Sequence, residues 1–149
     1  SDSRVPGVRD TRRVSQENVE LVQRGLETFN RGEWDEVFER WFHPEIEWSD
    51  PPGFPGGGVH RGRAAVLARF RELEEMLEGF SVQPEEFFDA GGQVVCFVRT
   101  GGRGRTSGID VSRPVAWILT VSDDLIVRVV GYEDRAAALA DAGLPAAGS

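Results

Sequence analysis

The chain has 149 residues and a formal net charge of -8, from 17 basic and 25 acidic side chains. Every basic residue is Arg and there is no Lys, which excludes Schiff-base chemistry, a pyridoxal-lysine linkage and a P-loop lysine, since each needs an ε-amine. The acidic balance argues against nucleic acid as a partner, whose affinity is built largely from cationic contacts to phosphate.

About 150 residues is one domain of ordinary size. Cys96 is the only cysteine, so an internal disulfide and a multi-cysteine zinc site are excluded. His43 and His60 share no metal-ligand spacing. No stretch approaches the ~20 apolar residues of a membrane span, and no apolar signal region stands near the start. The expectation is a soluble, cytoplasmic protein with no metal, no cofactor and no membrane partner.

Residues 1–14 are polar and Arg-rich and read as a flexible arm, 15–144 as the folded domain and 145–149 as a tail. Ser15 is a good N-cap, and Val19, Val22, Leu26 and Phe29 follow at helical spacing until Gly32. A second short helix is expected from Glu33 to Phe42, with Val37, Phe38, Trp41 and Phe42 as its apolar face and His43-Pro44 as its stop. Glu45–Asp50 alternates as a strand, with Ile46 and Trp48 on one face. A Gly/Pro-rich loop covers Pro51–Gly62, and a third helix covers Arg63–Leu77 with Val66, Phe70, Leu73 and Leu77 aligned. Strands are expected at Ser81–Asp89, Gln93–Arg105, Ile109–Ser122 and Leu125–Glu133, joined by short turns that imply antiparallel hairpins. A last helix covers Asp134–Ala142. The fold class is α+β: a strongly curved mixed or antiparallel sheet forming a cone-shaped half-barrel, with three helices in the N-terminal half and a short one at the C-terminus. The mouth of such a cone is a common place for a small ligand.

Asp50 continues the Ile46, Trp48 alternation, so a carboxylate falls on the apolar face of a strand, where desolvation suits it to act as a general base. The same Asp before Pro-Pro-Gly is also a turn opener whose side chain caps nearby backbone N–H groups. His60 closes the Gly-rich loop and is placed either to donate to a substrate oxygen and shuttle a proton, or to sit on the surface. Tyr132 and Glu133 alternate at the end of the last strand, so one of them could reach the cavity; both also fit an exposed strand end. Phe38, Trp41, Trp48 and Phe54 are candidates to line an apolar pocket, besides serving as core. Glycines in Gly101-Gly102-Arg103-Gly104-Arg105 suit bulges or a bend in the sheet.

Three stretches carry a resemblance: LVQRGLETFNRGEWDEVFERWFHPEIEWSDPPG, VHRGRAAVLARF and SRPVAWILTVSDDLIVRVVGYEDRAAAL. Together they resemble the SnoaL-like and ketosteroid isomerase-like proteins of the nuclear transport factor 2-like superfamily, over about Ser15 to Leu144. The resemblance implies a cone-like α+β barrel, a small hydrophobic ligand or substrate, and a homodimer packed through sheet faces. In ketosteroid isomerases the general base is the Asp of an E-D-P sequence at the end of the first strand, and Asp50, in S-D-P, falls on that position. The oxyanion-hole Tyr and Asp of those enzymes match Gly25 and Ala116, so both donors are missing here. Ala116 is thereby expected to face the cavity with Ile118 and Val129, while Trp117 turns outward to an interface with Arg99 and Arg128. Two functions follow: an isomerase, cyclase or hydrolase type of enzyme using Asp50, or a non-catalytic ligand-binding or dimeric assembly module.

Overall fold

Helical and alternating apolar spacing place four helices and six strands among the described residues, which in this computed structural model are 11–51 and 57–145, with side chains from residue 16. The order is α1 (Thr11–Asn30), α2 (Trp34–Arg40), β1 (Phe42–Ser49), β2 (Val59–Arg61), α3 (Arg63–Met76), β3 (Leu77–Ala90), β4 (Gln93–Gly104), β5 (Asp110–Ser122), β6 (Leu125–Tyr132) and α4 (Arg135–Asp141). α1 starts at Thr11 and runs through Ser15, the expected cap, because Arg12 and Arg13 are good helix formers. Phe42 begins β1 instead of ending α2. The residue before a proline is pushed towards extended backbone, which turns Phe42-His43-Pro44 into strand. The third strand starts at Leu77, directly after α3.

The strands form one mixed sheet in the order β2-β1-β6-β5-β4-β3. β1 pairs with β6 in parallel, and every other neighbouring pair is antiparallel. This is the expected α+β cone, open at its edges. Irregular pairing gives it curvature: β3 slips against β4 between Glu78 and Ser81 and again between Pro84 and Glu86. At the far end of the hairpin, a Cβ on Gly101 would stand 2.4 Å from the carbonyl oxygen of Val111, so only glycine lets the two strands close there.

The sheet has an apolar cluster on each face. The inner one joins α1, α2 and α3 to the concave side through Val22, Phe29, Phe70, Trp48, Trp117 and Leu119, among others. Its rings meet edge to face, with Trp48 5.0 Å from Phe70 and 5.1 Å from Trp117. The outer one lies under α4, where Ala138 and Leu139 cover Val95, Phe97, Ala116 and Ile118. Asp134 caps α4 by accepting from the Ala136 backbone N–H, and the Tyr132 hydroxyl bonds Asp141 Oδ2 at 2.7 Å.

The two clusters correct the alternation expected for β5. Val115, Trp117, Leu119 and Val121 belong to the inner cluster, and Ala116 and Ile118 to the outer one. Both parities are apolar because both faces are covered, so the pattern alone does not say which is inside. In β6, Ile126 and Val129 both lie in the inner cluster although strict alternation separates them. The pairing slips there: Val121 meets Ile126 while Thr120 meets Arg128, leaving Val127 as the extra residue of a bulge.

Candidate functional site around Asp50

Ile46 and Trp48 are 0% and 5% exposed, and the β1 alternation carries on to Asp50, whose side chain is 9% exposed. The carboxylate lines a small cavity with Trp48, Pro51, Arg69, Thr100 and Trp117. The turn holding it is fixed by backbone: the Asp50 N–H donates to the Gly58 carbonyl at 3.0 Å. Pro51 then packs on β6. A Cβ on Gly131 would stand 2.8 Å from Pro51 Cδ, so that contact requires glycine.

Three side chains converge on the carboxylate. Arg69 Nε donates to Asp50 Oδ2 at 3.0 Å, and Trp48 Nε1 donates to Oδ1 at 3.2 Å. His60 Nε2 stands 3.3 Å from Oδ2, buried, but without the alignment of a hydrogen bond. Its side chain is 22% exposed, so the ring reaches both the carboxylate and solvent. β2 was hidden inside the expected loop, and it explains the meeting: Trp48 pairs with His60 across β1 and β2, so the two project to the same face.

Arg69 was not expected. It is 2% exposed, in the middle of α3, and its guanidinium balances Asp50 where water cannot. The signal was present: Arg69 sits three residues after Val66 and four before Leu73, on the apolar stripe of its helix. A charged residue on a buried helix face, opposite a carboxylate on a buried strand face, is a pair that spacing alone can suggest.

The other expected residues disperse. Trp48 forms part of the cavity wall. Phe38 is core, its ring 4.7 Å from that of Phe42 and 6.1 Å from that of Phe70. Trp41 lines an outer groove with Arg24, Arg40 and Asp124 and carries Arg40 over its ring. Val129 is fully buried in the inner cluster. Ala116 and Ile118 face the opposite side, under α4. Tyr132 belongs to that side too, held by Asp141. Burial and the hydrogen bond to Asp141 raise its hydroxyl pKa to about 12. Glu133 is exposed at the strand end, 3.9 Å from Arg113. Phe54 lies outside the described residues. Trp117, expected at an interface, is 6% exposed and forms the inner wall. Cys96 is fully buried, and burial pushes its thiol pKa well up, so it is not a nucleophile. Among the described residues, no group of His, Cys, Asp and Glu has the arrangement of a metal site.

The space itself is small. The Asp50 cavity measures about 20 Å³, and an inner apolar cavity behind it about 30 Å³. Trp48, Phe70 and Trp117 stand in the wall of both.

No curated protein matches the chain. Solved structures match over most of its length. An NTF2-like protein of Burkholderia thailandensis E264 is 26% identical with a TM-score of 0.72, covering 86% of this chain and 98% of its own. An NTF2-like protein of Burkholderia xenovorans LB400 is 29% identical with a TM-score of 0.67, covering 85% and 95%. A ketosteroid isomerase-like fold protein of Catenulispora acidiphila DSM 44928, in complex with trimethylamine, is 20% identical with a TM-score of 0.67, covering 85% and 94%. The family model of the SnoaL-like domain matches residues 22–129, from α1 through the bulge of β6 and across both Asp50 and Arg69, and the chain therefore belongs to the SnoaL-like domain family.

Proposed function

We propose that the chain takes a small, apolar ligand at the inner face of the cone and acts on it with Asp50 as general base, in an isomerase, cyclase or hydrolase type of reaction. The observation that carries this reading is a carboxylate, 9% exposed, on the wall of an otherwise mostly apolar cavity and approached there by an arginine, an indole and an imidazole. Arg69 and His60 both address Oδ2, leaving Oδ1, which among the described residues meets Trp48, as the oxygen to take a proton from a carbon acid or a water. His60, beside the carboxylate and partly open to solvent, is the group to donate a proton to a substrate oxygen. Catalytic contacts that are unaligned in the free protein often tighten when substrate binds.

The test begins with the ligand that co-purifies with the protein, identified by mass spectrometry. Asp50→Asn leaves the buried guanidinium of Arg69 uncompensated, so the variant must be assayed beside Asp50→Asn/Arg69→Met, which removes both charges. Loss of turnover by about 10²–10⁴-fold in both, with the double variant folded, is the expected outcome for a general base. Turnover that survives in the double variant ends the proposal.

A second reading is favoured by the size of the Asp50 cavity, about 20 Å³, and by the engagement of both carboxylate oxygens. In it, the polar cluster fixes the fold and the chain is a binding or homodimeric assembly module. The self-association surface would be the exposed part of the outer face, with Arg99 and Arg128, since Trp117 is inside. Sedimentation at micromolar concentration separates a dimer from a monomer, and a co-purified ligand that the parent chain binds but does not turn over favours this second reading.

A further inference from the structure

A far larger space lies away from Asp50. β1 and β6 run parallel, Asp50 follows the end of β1 and Asp124 precedes the start of β6, so the groove beside Trp41 and Asp124 sits at the opposite end of the strands. Its volume is about 350 Å³, within the range of small-ligand pockets. Leu21 and Trp41, 6% and 7% exposed, form its floor. Around them stand two guanidiniums, of Arg24 and Arg40, and the carboxylates of Glu17, Glu20 and Asp124. Trp41 is a fixed base: its carbonyl accepts from the Ile126 N–H at 2.7 Å, which ties the end of α2 to the start of β6. The Arg40 guanidinium lies over the Trp41 ring, 5.0 Å from its centroid, so this cation is held in place. The charges around the floor do not pair with one another. Among the described residues, Arg24, Arg40, Glu20 and Asp124 form no ion pair, whereas the exposed Arg31, Arg61 and Arg99 each find a carboxylate. Glu20 stands four residues before Arg24 on α1, the order and spacing that favour a helical ion pair, yet that pair is not made.

We propose that this groove binds a free α-amino acid with a small apolar side chain, its carboxylate taken by Arg24 and Arg40 and its ammonium by Glu20 and Asp124. The mixed lining selects the class. An anion alone would meet the groove's carboxylates, and a cation alone would leave both guanidiniums unmatched, whereas a zwitterion complements both signs. The spacing narrows it further. Glu20 and Arg24 are about one helical turn apart, roughly 6 Å along the axis of α1, so a ligand that bridges them carries its two charges close together, as on one carbon. Leu21 and Trp41 offer the apolar surface of the lining, and they have room for a side chain of a few carbons. The site stands apart from Asp50 and does not depend on what that carboxylate does.

The experiment titrates the full chain with L-leucine, isocaproate and isoamylamine, which share an alkyl group and carry both charges, only the negative one and only the positive one. The indole N–H of Trp41 and the backbone N–H of Leu21 report binding by NMR. Leucine should shift both signals to saturation, and each half-ligand should bind at least about ten-fold more weakly, the worth of one charge-assisted hydrogen bond. Arg40→Gln should weaken leucine about ten-fold without weakening isoamylamine, and Glu20→Gln should weaken leucine about as much without weakening isocaproate. Both positions are exposed, so the variants should fold, which the remaining N–H signals check. Arg71→Gln, on α3 and outside the groove, should leave all three affinities unchanged. No shift with leucine at about 10 mM, ten times a millimolar dissociation constant, overturns the site. Half-ligands that bind as tightly as leucine overturn it too, as does a leucine affinity that either folded groove variant keeps in full.

Discussion

The two faces of the sheet use the same ingredients in different surroundings. On the inner face, Asp50 and Arg69 form an ion pair with side chains 9% and 2% exposed, ringed by Trp48, Phe70 and Trp117. On the outer face, Glu47 meets Arg61 and Arg128, and Glu85 meets Arg99 and Arg135, with most of these side chains open to water. The outer pairs are screened and cheap to break, whereas the inner one is expensive to leave half made. The apolar parts differ too. The inner cluster leaves cavities beside its aromatic rings, while the outer cluster is sealed by Ala138 and Leu139 of a seven-residue helix. The inner face keeps empty space and a buried ion pair, and the outer face fills its space with the apolar side of α4.

The sharpest way to break this contrast is Arg69→Met. It should cost about 3–5 kcal/mol in denaturant unfolding, because Asp50 is left buried without its partner, and Asp50→Asn added to it should restore most of that loss. A loss under 1 kcal/mol would put the pair in the same class as the surface ones. On the outer face, Leu139→Ala should cost about 2–4 kcal/mol by opening a void under α4; a much smaller loss would mean that the helix adds little to the seal. Gly131→Ala should cost about 1–3 kcal/mol by pushing Pro51 off β6, and an NMR spectrum should show the change spreading to Asp50 and Trp48.

Tyr132→Phe should cost about 1 kcal/mol, the worth of one hydrogen bond. The effect also has a pH signature. The hydroxyl pKa is raised in the folded chain, so its contribution is complete below pH 10 and is lost as pH rises from about 10 to about 12. Tyr132 is the only tyrosine, so the pH-dependent change in near-ultraviolet absorbance from phenol ionisation, over the constant background of the four tryptophans, belongs to it alone. At the acid side, Arg135 holds the Glu85 carboxyl below its ordinary range, so that pair contributes above that range and is lost as pH falls through the lowered value. Arg61→Ala should change stability by less than about 0.5 kcal/mol, and a larger effect would show that the outer charges act as a network.

Which parts of this were legible follows from how each signal is encoded. Helix spacing and turn chemistry are local, so α1, α3 and the long hairpins stand out in the sequence. Asp50 is legible for the same reason, as the last position of a short alternation begun by Ile46. Side assignment in β5 is not local. Ala116, Trp117 and Ile118 are all apolar, and only the presence of α4 on the outer face decides that Trp117 turns inward. The bulge at Val127 is invisible until β5 is set beside β6. β2, three residues after a run of Gly and Pro, is too short to show a period, yet it is what turns His60 towards Asp50. Arg69 was legible in principle as a charge on an apolar stripe, and is missed only when the stripe is read by its apolar members.

The parallel pairing of β1 with β6 bears on how the chain assembles in time. Asp50 and Arg69 lie 19 residues apart, so the charged cluster is gathered by a local unit of β1, β2 and α3. Its opposite wall, with Thr100, Val115 and Trp117, arrives much later in the chain, and β1 gains its second neighbour only when β6 is made. Contacts of such long sequence separation form slowly. During synthesis, therefore, the side of Trp48 and Phe70 that later meets β4 and β5 lacks its cover until most of the domain has emerged, and this is the interval in which the growing chain has most need of protection from aggregation.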